Sequence, residues 1–521
     1  MQDHHPALRR RYTPALAVAT AVAVTALLGA CAVGPDYVKP EPQLPQAWDT
    51  HDQPGNASHP VALPAGQAAD PQWWKQFNDP ELDALEQRAV TGNLDIQVAA
   101  SRLQQSRAAR RIVGAEALPS VGANANYQRT GASSSGLMSL LGVSNPPASQ
   151  MANGTGYGNS GVQGNDVSEP FNLYQYGFDA SWELDLWGRT RRQIEAADAL
   201  AQASDETRHE TILAVVAETA ADYVQLRASQ ASLNTATQML DLAHRSLELT
   251  QRRRADGAAT DLDVINAQAL VSSLEAALPP LLQQNAHLID ALSLLLAQPP
   301  GTLAQELATA QPVPPVPAAI PVEVPSGLAR RRPDIRRADA LLHAATASIG
   351  VAKADFYPSV TLSGSFGMQS MSFASVGTWA ARQFAVGPTL SLPIFEGGRL
   401  RAQLNLREAQ QQEAALAYQR TVLGAWNEID DTLSALSTEQ QRRTSLAANV
   451  AQSDHAWQLA TSRYQTGAGT QLDILATQRT TLAAKLDWIR SDTNVSLNAI
   501  RLYKALGGGW ESAGETPLAA R

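Results

Sequence analysis

Few residues of this chain have the type and spacing that catalysis requires. Its nine histidines show no metal-ligand spacing. They include His209, His244, His287, His343 and His455. No serine or cysteine nucleophile motif is present, and the segment GYGNSG at 156–161 matches the dinucleotide fingerprint without the strand and helix that this fingerprint needs. The sequence therefore predicts a protein that is not an enzyme and has no cofactor or metal.

The single cysteine, Cys31, is the residue best suited to covalent modification. Three arginines at 9–11 precede an uncharged run at 14–28, which is typical of a signal peptide and too short for a spanning helix. The run ends in LGAC, which resembles the lipobox of bacterial lipoproteins, so we expect removal of residues 1–30 and a covalent lipid on Cys31. Ala32, rather than Asp, favours the outer membrane. The alternative is a lone core cysteine; a disulfide within the chain is excluded.

Two aspartates, Asp263 and Asp473, occupy matching places in a duplicated sequence. DIQVAASRLQQSRAARRIVGAEALPSV at 95–121 aligns with 334–360 at an offset of 239, without a gap. GAATDLDVINAQ from residue 257 aligns with GAGTQLDILATQ from residue 467, at an offset of 210. The change of offset places about 29 extra residues in the first half, in a Gly- and Ser-rich segment within 129–172 that we expect to be a long exposed loop.

Each repeat contains two segments in which apolar and polar residues alternate, as in a strand with one apolar face. The predicted strands lie at about 120–128, 173–187, 359–368 and 383–395. Four strands cannot close a membrane barrel, because an open edge leaves backbone groups unpaired in lipid. Copies of the chain must then complete the sheet. The alternative is a soluble sandwich with its apolar faces packed together.

Long helices follow the strands. The stretches 188–255 and 398–466 contain no proline and have helical periodicity, and about 67 residues at 1.5 Å each give a rod of roughly 100 Å. Gly257 and Gly467 predict the turns, and Thr260 and Thr470 are expected to cap the return helices. These return helices are predicted at 260–297 and 470–506. An exposed coiled coil is the alternative.

The predicted organisation is mainly helical with a smaller β part. An extended segment is expected at 31–78, followed by the first repeat at 79–301. A Pro-rich linker at 302–330 precedes the second repeat at 331–509, and 510–521 form a tail. The chain has 521 residues, 44% of them hydrophobic and 17% charged, and a net charge of −9, which argues against disorder, apolar helical membrane spans and nucleic-acid binding.

Several motifs in order along the chain resemble the outer-membrane efflux lipoproteins of the TolC/OprM/NodT type. They are CAVGPDYVKP at 31–40, SWELDLWGR at 181–189, RRPDIRRAD at 331–339, GVAKADFYPSV at 350–360 and GPTLSLPIFEGGRLRAQ at 387–403. The resemblance implies a homotrimer that forms a twelve-stranded β-barrel in the outer membrane and continues into a periplasmic α-helical barrel. It also implies the function of exit duct for drugs or other small molecules in a tripartite pump, with a periplasmic adaptor protein and an inner-membrane RND-type transporter as partners.

The same resemblance assigns roles to residues at the two turns. By its implication, a periplasmic gate is formed by Asp263, Leu472, Asp473 and Arg479. The adaptor-contacting tip would comprise Gly257, Thr260, Leu262, Arg463, Tyr464, Gly467 and Thr470. Asp263 and Asp473 have a second interpretation, as acids favoured at the start of a helix by its dipole. A lipid-anchored scaffold or adhesin that conducts nothing is the alternative function.

Overall fold

The computed structural model describes residues 32–40, 70–131, 170–317, 320 and 331–513. These residues form two compact units. Of the described residues, the first unit takes 32–36, 109–131, 170–196 and 346–409, and the second takes the others. Cys31 and the signal segment, most of the 129–172 loop, most of the linker beyond residue 317 and the tail beyond residue 513 lie outside the described residues.

The first unit contains one antiparallel sheet whose strands follow each other in sequence order. The strands are β1 (Ser120–Thr130), β2 (Phe171–Leu184), β3 (Ser359–Ser370) and β4 (Arg382–Ser391). β2 pairs with β1 on one side and with β3 on the other, so the two halves of the duplicated sequence share one sheet. β1 and β4 are its edges within one chain.

The register separates the two faces of this sheet by polarity. Phe178 pairs with Ala123 on β1 and with Phe366 on β3, and Phe366 pairs with Phe384 on β4. The neighbouring row holds Asp179 with Gly122 and Ser365, on the opposite face. Large apolar side chains on the first face, such as Phe178 and Phe384, are exposed within the single chain. The predicted alternation therefore describes a sheet with one bare apolar face and one polar face.

Two strands end earlier than the sequence predicted. β2 stops at Leu184 rather than at 187, because the Asp185 carboxylate accepts hydrogen bonds from the backbone N–H groups of Thr190 (3.1 Å) and Arg191 (2.9 Å) at the start of the next helix. β4 stops at Ser391 rather than at 395. Ser391 pairs with Ser359, the first residue of β3, so β3 offers no partner for the residues beyond it.

Helices form most of the described chain. Three of them were not predicted as elements: α1 (Pro80–Gly92), α2 (Leu94–Ala115) and α5 (Pro333–Ala354). Of these, α2 and α5 directly precede strands. The two long helices are α3 (Arg189–Ala255) and α6 (Arg399–Gln465), each of 67 residues. Their return helices, α4 (Asp261–Leu295) and α7 (Gln471–Ala505), have 35 residues each. Equal lengths in the two halves follow from the duplicated sequence.

The main core of the second unit joins the middle of α3 and α6 to the ends of α4 and α7 that lie far from the turns. There the ring of Trp73 stacks on Tyr503 of α7 with a centroid distance of 5.0 Å, and the hydroxyl of Tyr223 donates to Asp79 at 2.8 Å. A smaller apolar cluster lies close to the turns. Its buried members are Met239, Ala243, Leu270, Val271, Leu274 and Leu475. The smaller cluster therefore packs α3, α4 and α7 against one another close to the turns.

Among the helices of the described ranges, none combines the length and the apolar character that crossing a membrane requires.

Candidate functional site

The two helix–turn–helix tips have the same backbone design. Gly257 and Gly467 adopt positive φ angles of 74° and 78°, in the left-handed region that glycine enters without strain. The following alanines, Ala258 and Ala468, donate their N–H groups to the carbonyls of Arg253 (2.7 Å) and Arg463 (2.8 Å). This six-to-one hydrogen bond, with its glycine, is the usual way to end a helix and reverse the chain.

A capping box begins each return helix. The backbone N–H of Thr260 donates to Asp263 Oδ2 at 2.9 Å, and Asp263 N–H donates to Thr260 Oγ1 at 3.3 Å. Thr470 and Asp473 repeat this pair of contacts at 2.9 and 3.2 Å. Both aspartates thus stabilise the first turn of their helix, as the helix-start interpretation of the sequence expected.

The same contacts set the charge of the two aspartates. Hydrogen bonds from the backbone N–H and the hydroxyl of Thr260 lower the pKa of Asp263, and those of Thr470 lower the pKa of Asp473. Donors aimed at a carboxylate favour its ionised form. Both aspartates are therefore ionised at neutral pH.

Apolar side chains project from the tips beside these carboxylates. Leu262 and Leu472, at matching positions, are both 65% exposed. Arg479 lies two turns further along α7, exposed, and lines a shallow pocket with Gln478, Met239 and other apolar neighbours. In one chain, Leu472, Asp473 and Arg479 are thus exposed, and Asp263 is half-buried.

Contacts between the two hairpins were not foreseen from the sequence. Tyr464 is only 5% exposed, and the guanidinium of Arg253 lies over its ring at 4.2 Å and donates to its carbonyl at 3.3 Å. Gln471, 4% exposed, donates from Nε2 to Ser246 Oγ at 3.0 Å. The end of α6 and the start of α7 are therefore attached to α3.

The equivalent positions of the first hairpin behave differently. At the offset of 210, Arg254 replaces Tyr464 and Asp261 replaces Gln471. Arg254 and Asp261 form an ion pair with each other, and their side chains are 54% and 74% exposed. An exposed pair of this kind contributes little to stability. Substitution at two aligned positions was the signal in the sequence that could have revealed this difference.

Within the described part of the chain, no group of three or more His, Cys, Asp or Glu side chains could hold a metal ion. The titratable residues of the tips instead contact threonine donors and each other.

Comparison with known proteins gives consistent matches over nearly the whole length. The family model described as "Outer membrane efflux protein" matches residues 85–298 and 324–508. Outer membrane protein OprJ of Pseudomonas aeruginosa is 33% identical over 500 residues, covering 96% of this chain and 97% of that protein. The pyoverdine export outer membrane protein OpmQ of the same species is 33% identical over 495 residues, covering 93% and 95%.

Solved structures give the same result. The outer-membrane channel OprN superposes with a TM-score of 0.79 at 32% identity, covering 92% of this chain and 100% of that one. The open state of the Neisseria gonorrhoeae MtrE outer membrane channel matches with a TM-score of 0.73 at 26% identity, covering 92% and 99%.

Proposed function

Because this chain belongs to the outer membrane efflux protein family, we propose that three copies of it form an exit duct through the outer membrane. The protein is an outer-membrane efflux protein of a Gram-negative cell. The proposal concerns how it assembles, which residues control the duct and which proteins it serves.

The observation that carries the proposal is the four-stranded sheet with opposite faces. Its apolar face is bare and its edge strands β1 and β4 lack neighbours within one chain. In hydrocarbon, unpaired edge groups cost several kcal/mol each, so copies must pair edge to edge. Three copies of four strands would give a twelve-stranded barrel with apolar residues toward lipid and polar residues toward the lumen.

The long helices supply the periplasmic part. Each 67-residue helix leads away from a strand, and a helix of this size is roughly 100 Å long. Three copies of α3, α4, α6 and α7 would then form a helical tube continuous with the barrel. Passive conduction through such a tube needs no cofactor in this chain.

Purified protein in detergent tests this assembly directly. We expect a trimer by native mass measurement and discrete conductance steps when the protein is added to a planar bilayer. A monomer that gives no conductance would reject the exit duct.

We also propose that a covalent lipid on Cys31 anchors the mature chain. An acyl chain contributes about 0.8 kcal/mol per buried methylene, so several chains hold a protein firmly at a membrane. Cells grown with radioactive palmitate should label the wild type and not Cys31→Ser. Label that remains on the variant would reject this anchor.

The gate is proposed at the tips, from Asp263, Leu472, Asp473 and Arg479. Three copies of each ionised aspartate near one axis would repel one another and attract cations. The double variant Asp263→Asn and Asp473→Asn removes the charge while keeping an acceptor for the threonine donors, so it should change single-channel conductance. Asp256→Asn, which removes an exposed acid of the turn directly after α3, is the matched control and should not. Equal conductance in all three proteins would leave the aspartates as caps only.

The tips are also the proposed contact with a periplasmic adaptor, which would link the duct to an inner-membrane transporter of the RND type. The contact residues are those assigned from the resemblance. Among them Leu262 is exposed and apolar in one chain, whereas Tyr464 is buried against Arg253 of α3. Leu262→Glu should abolish crosslinking to the adaptor in cells. Leu423→Glu changes another exposed leucine, on α6 far from the tips, and is the control that should leave crosslinking intact.

A further inference from the structure

Charge is distributed unequally over the two faces of the sheet. On the apolar face the charged residues of β1 to β4 are Arg129 and Arg382, both cations. On the polar face they are Asp179 and Glu183, both anions. The faces follow from the register, in which odd residues of β1 pair with even residues of β2 and so on across the sheet.

The two arginines share one end of the sheet. Arg129 is the second-last residue of β1, and Arg382 is the first residue of β4. The helices α2, α3, α5 and α6 join the strands at the opposite end. If the proposed barrel spans the outer membrane with its helices in the periplasm, Arg129 and Arg382 face outward at the external rim.

Their surroundings are those of a membrane interface. The guanidinium of Arg382 lies over the ring of Trp379 at 4.6 Å and donates to its carbonyl at 2.8 Å, and both side chains are exposed. Close to Arg129, the rings of Tyr127 and Tyr174 lie 4.9 Å apart. Amphipathic rings are typical of the headgroup level of a bilayer.

A cation on the outward face is costly in hydrocarbon and is tolerated at the interface, where a lipid headgroup offers a partner. Guanidinium groups match phosphate by paired, charge-assisted hydrogen bonds. No carboxylate on the apolar face of these four described strands competes for either arginine. The charge of the surface is therefore complementary to a phosphate-bearing headgroup.

We propose that Arg129 and Arg382 bind the phosphate groups of a phosphorylated lipid headgroup in the outer leaflet. This inference rests on the proposed function, since it needs the sheet in the membrane with its apolar face outward. β1 and β4 are the edge strands, so in the proposed trimer Arg129 of one copy would lie on the same seam as Arg382 of the next. Each seam would then present two guanidinium groups to one headgroup.

The test uses full-length purified trimer in detergent and counts bound lipid by native mass spectrometry. The probe is a bisphosphorylated diglucosamine glycolipid (lipid A), compared with the same glycolipid without phosphates. For the double variant Arg129→Gln and Arg382→Gln we expect about tenfold weaker binding of the phosphorylated probe, the order of magnitude for losing charge-assisted hydrogen bonds. Binding of the dephosphorylated probe should not change.

Arg107→Gln, which removes an exposed arginine of α2, is the matched control and should bind like the wild type. The variants Arg129→Lys and Arg382→Lys keep the charge and lose the paired donors, so their binding should lie between that of the wild type and that of the glutamine double variant. Equal binding of lipid A by wild type and double variant would overturn the proposal. So would complete displacement of the glycolipid by excess inorganic phosphate, which would identify a free-anion site instead.

Mass and conductance are measured on the same preparations. A wild type that is neither trimeric nor conducting refutes the proposed function itself. A trimeric, conducting wild type whose double variant binds lipid A equally well refutes only the headgroup site.

Discussion

The two tip hairpins have the same turn and differ in the side-chain contacts at their tips. Both combine a positive-φ glycine with a Thr–Asp capping box. The second hairpin buries Tyr464 and Gln471 against α3, whereas the first places the exposed pair Arg254 and Asp261 at those positions. After duplication of one sequence, the local turn is maintained by the residues that define its backbone, and packing of the tip is decided by two other positions.

A second difference lies further from the tips. Between Leu274 and Leu288, α4 has no buried side chain within a single chain, and it contains Pro279 and Pro280. The matching part of α7 has Ile489 and Arg490 in place of the prolines and buries several residues. They are Ile489, Ser491, Thr493, Val495 and Ser496. The first hairpin therefore has fewer buried contacts at its tip, and its return helix lacks the two backbone N–H donors of Pro279 and Pro280.

The largest effect that would test this comparison is expected at Tyr464. Tyr464→Ala removes a buried ring and its contact with Arg253, and truncation of a buried aromatic costs about 3–5 kcal/mol. Arg254→Ala at the matching position removes an exposed ion pair worth about 1 kcal/mol or less. Amide hydrogen exchange across 455–475 and 245–265 measures the two local opening energies.

Tyr464→Phe keeps the ring over which Arg253 lies and is the control, with protection close to that of the wild type. Similar loss of protection in Tyr464→Ala and Arg254→Ala would show that the two tips are held equally well.

Adding a proline to α7 and removing one from α4 should change the stability of these helices in opposite directions. Arg490→Pro removes an internal N–H from α7 and should cost about 3 kcal/mol, the usual penalty of proline inside a helix. Pro280→Ala restores an N–H in α4 and should increase its protection from exchange. Arg490→Ala, which loses only the exposed pair with Asp487, separates the effect of the backbone from that of the charge. A tolerated Arg490→Pro would mean that α7 is as adaptable here as α4.

The sequence was sufficient for the parts of this site that are local. Gly257, Thr260 and Asp263 define a turn and cap through contacts within a few residues, and their copies at 467, 470 and 473 repeat them. The β part followed from alternation, because side chains of a strand point to opposite faces. The contact between Arg253 and Tyr464 joins residues 211 positions apart. No periodicity indicates such a contact, so it required the structure.

The ends of β2 and β4 were also not predictable from the sequence pattern. Alternation continues through Leu186 and Ile394. Pairing nevertheless stops where Asp185 caps the next helix and where β4 reaches the first residue of β3. A pattern of apolar residues reports which face a side chain would occupy and does not report whether a backbone partner is present.

Loss of one cap should affect the two hairpins alike. Thr260→Ala removes the acceptor of the Asp263 N–H and one donor to its carboxylate, at a cost of about 1 kcal/mol. Thr470→Ala removes the same contacts and should lower exchange protection of the first turn of α7 by a similar factor. Thr→Ser at either position keeps the hydroxyl and should be neutral. Unequal effects would show that the packing of Tyr464 and Gln471 also supports the cap.

The smallest effect is expected from lowering the pH, and it separates the contribution of the capping boxes from that of the buried Tyr464 ring. The pKa of Asp263 and that of Asp473 are lowered by their threonine donors, so each cap contributes fully above the ordinary aspartate pKa of about 3.9 and is lost as pH falls through the lower folded value. Tyr464 is held by burial and by its contact with Arg253, and no carboxylate takes part in that contact. Exchange protection between pH 5 and pH 3, corrected for intrinsic rates, should therefore fall at both first turns while the end of α6 stays protected. Loss of protection at Tyr464 together with the caps would mean that the carboxylates, rather than the buried ring, hold the second hairpin on α3.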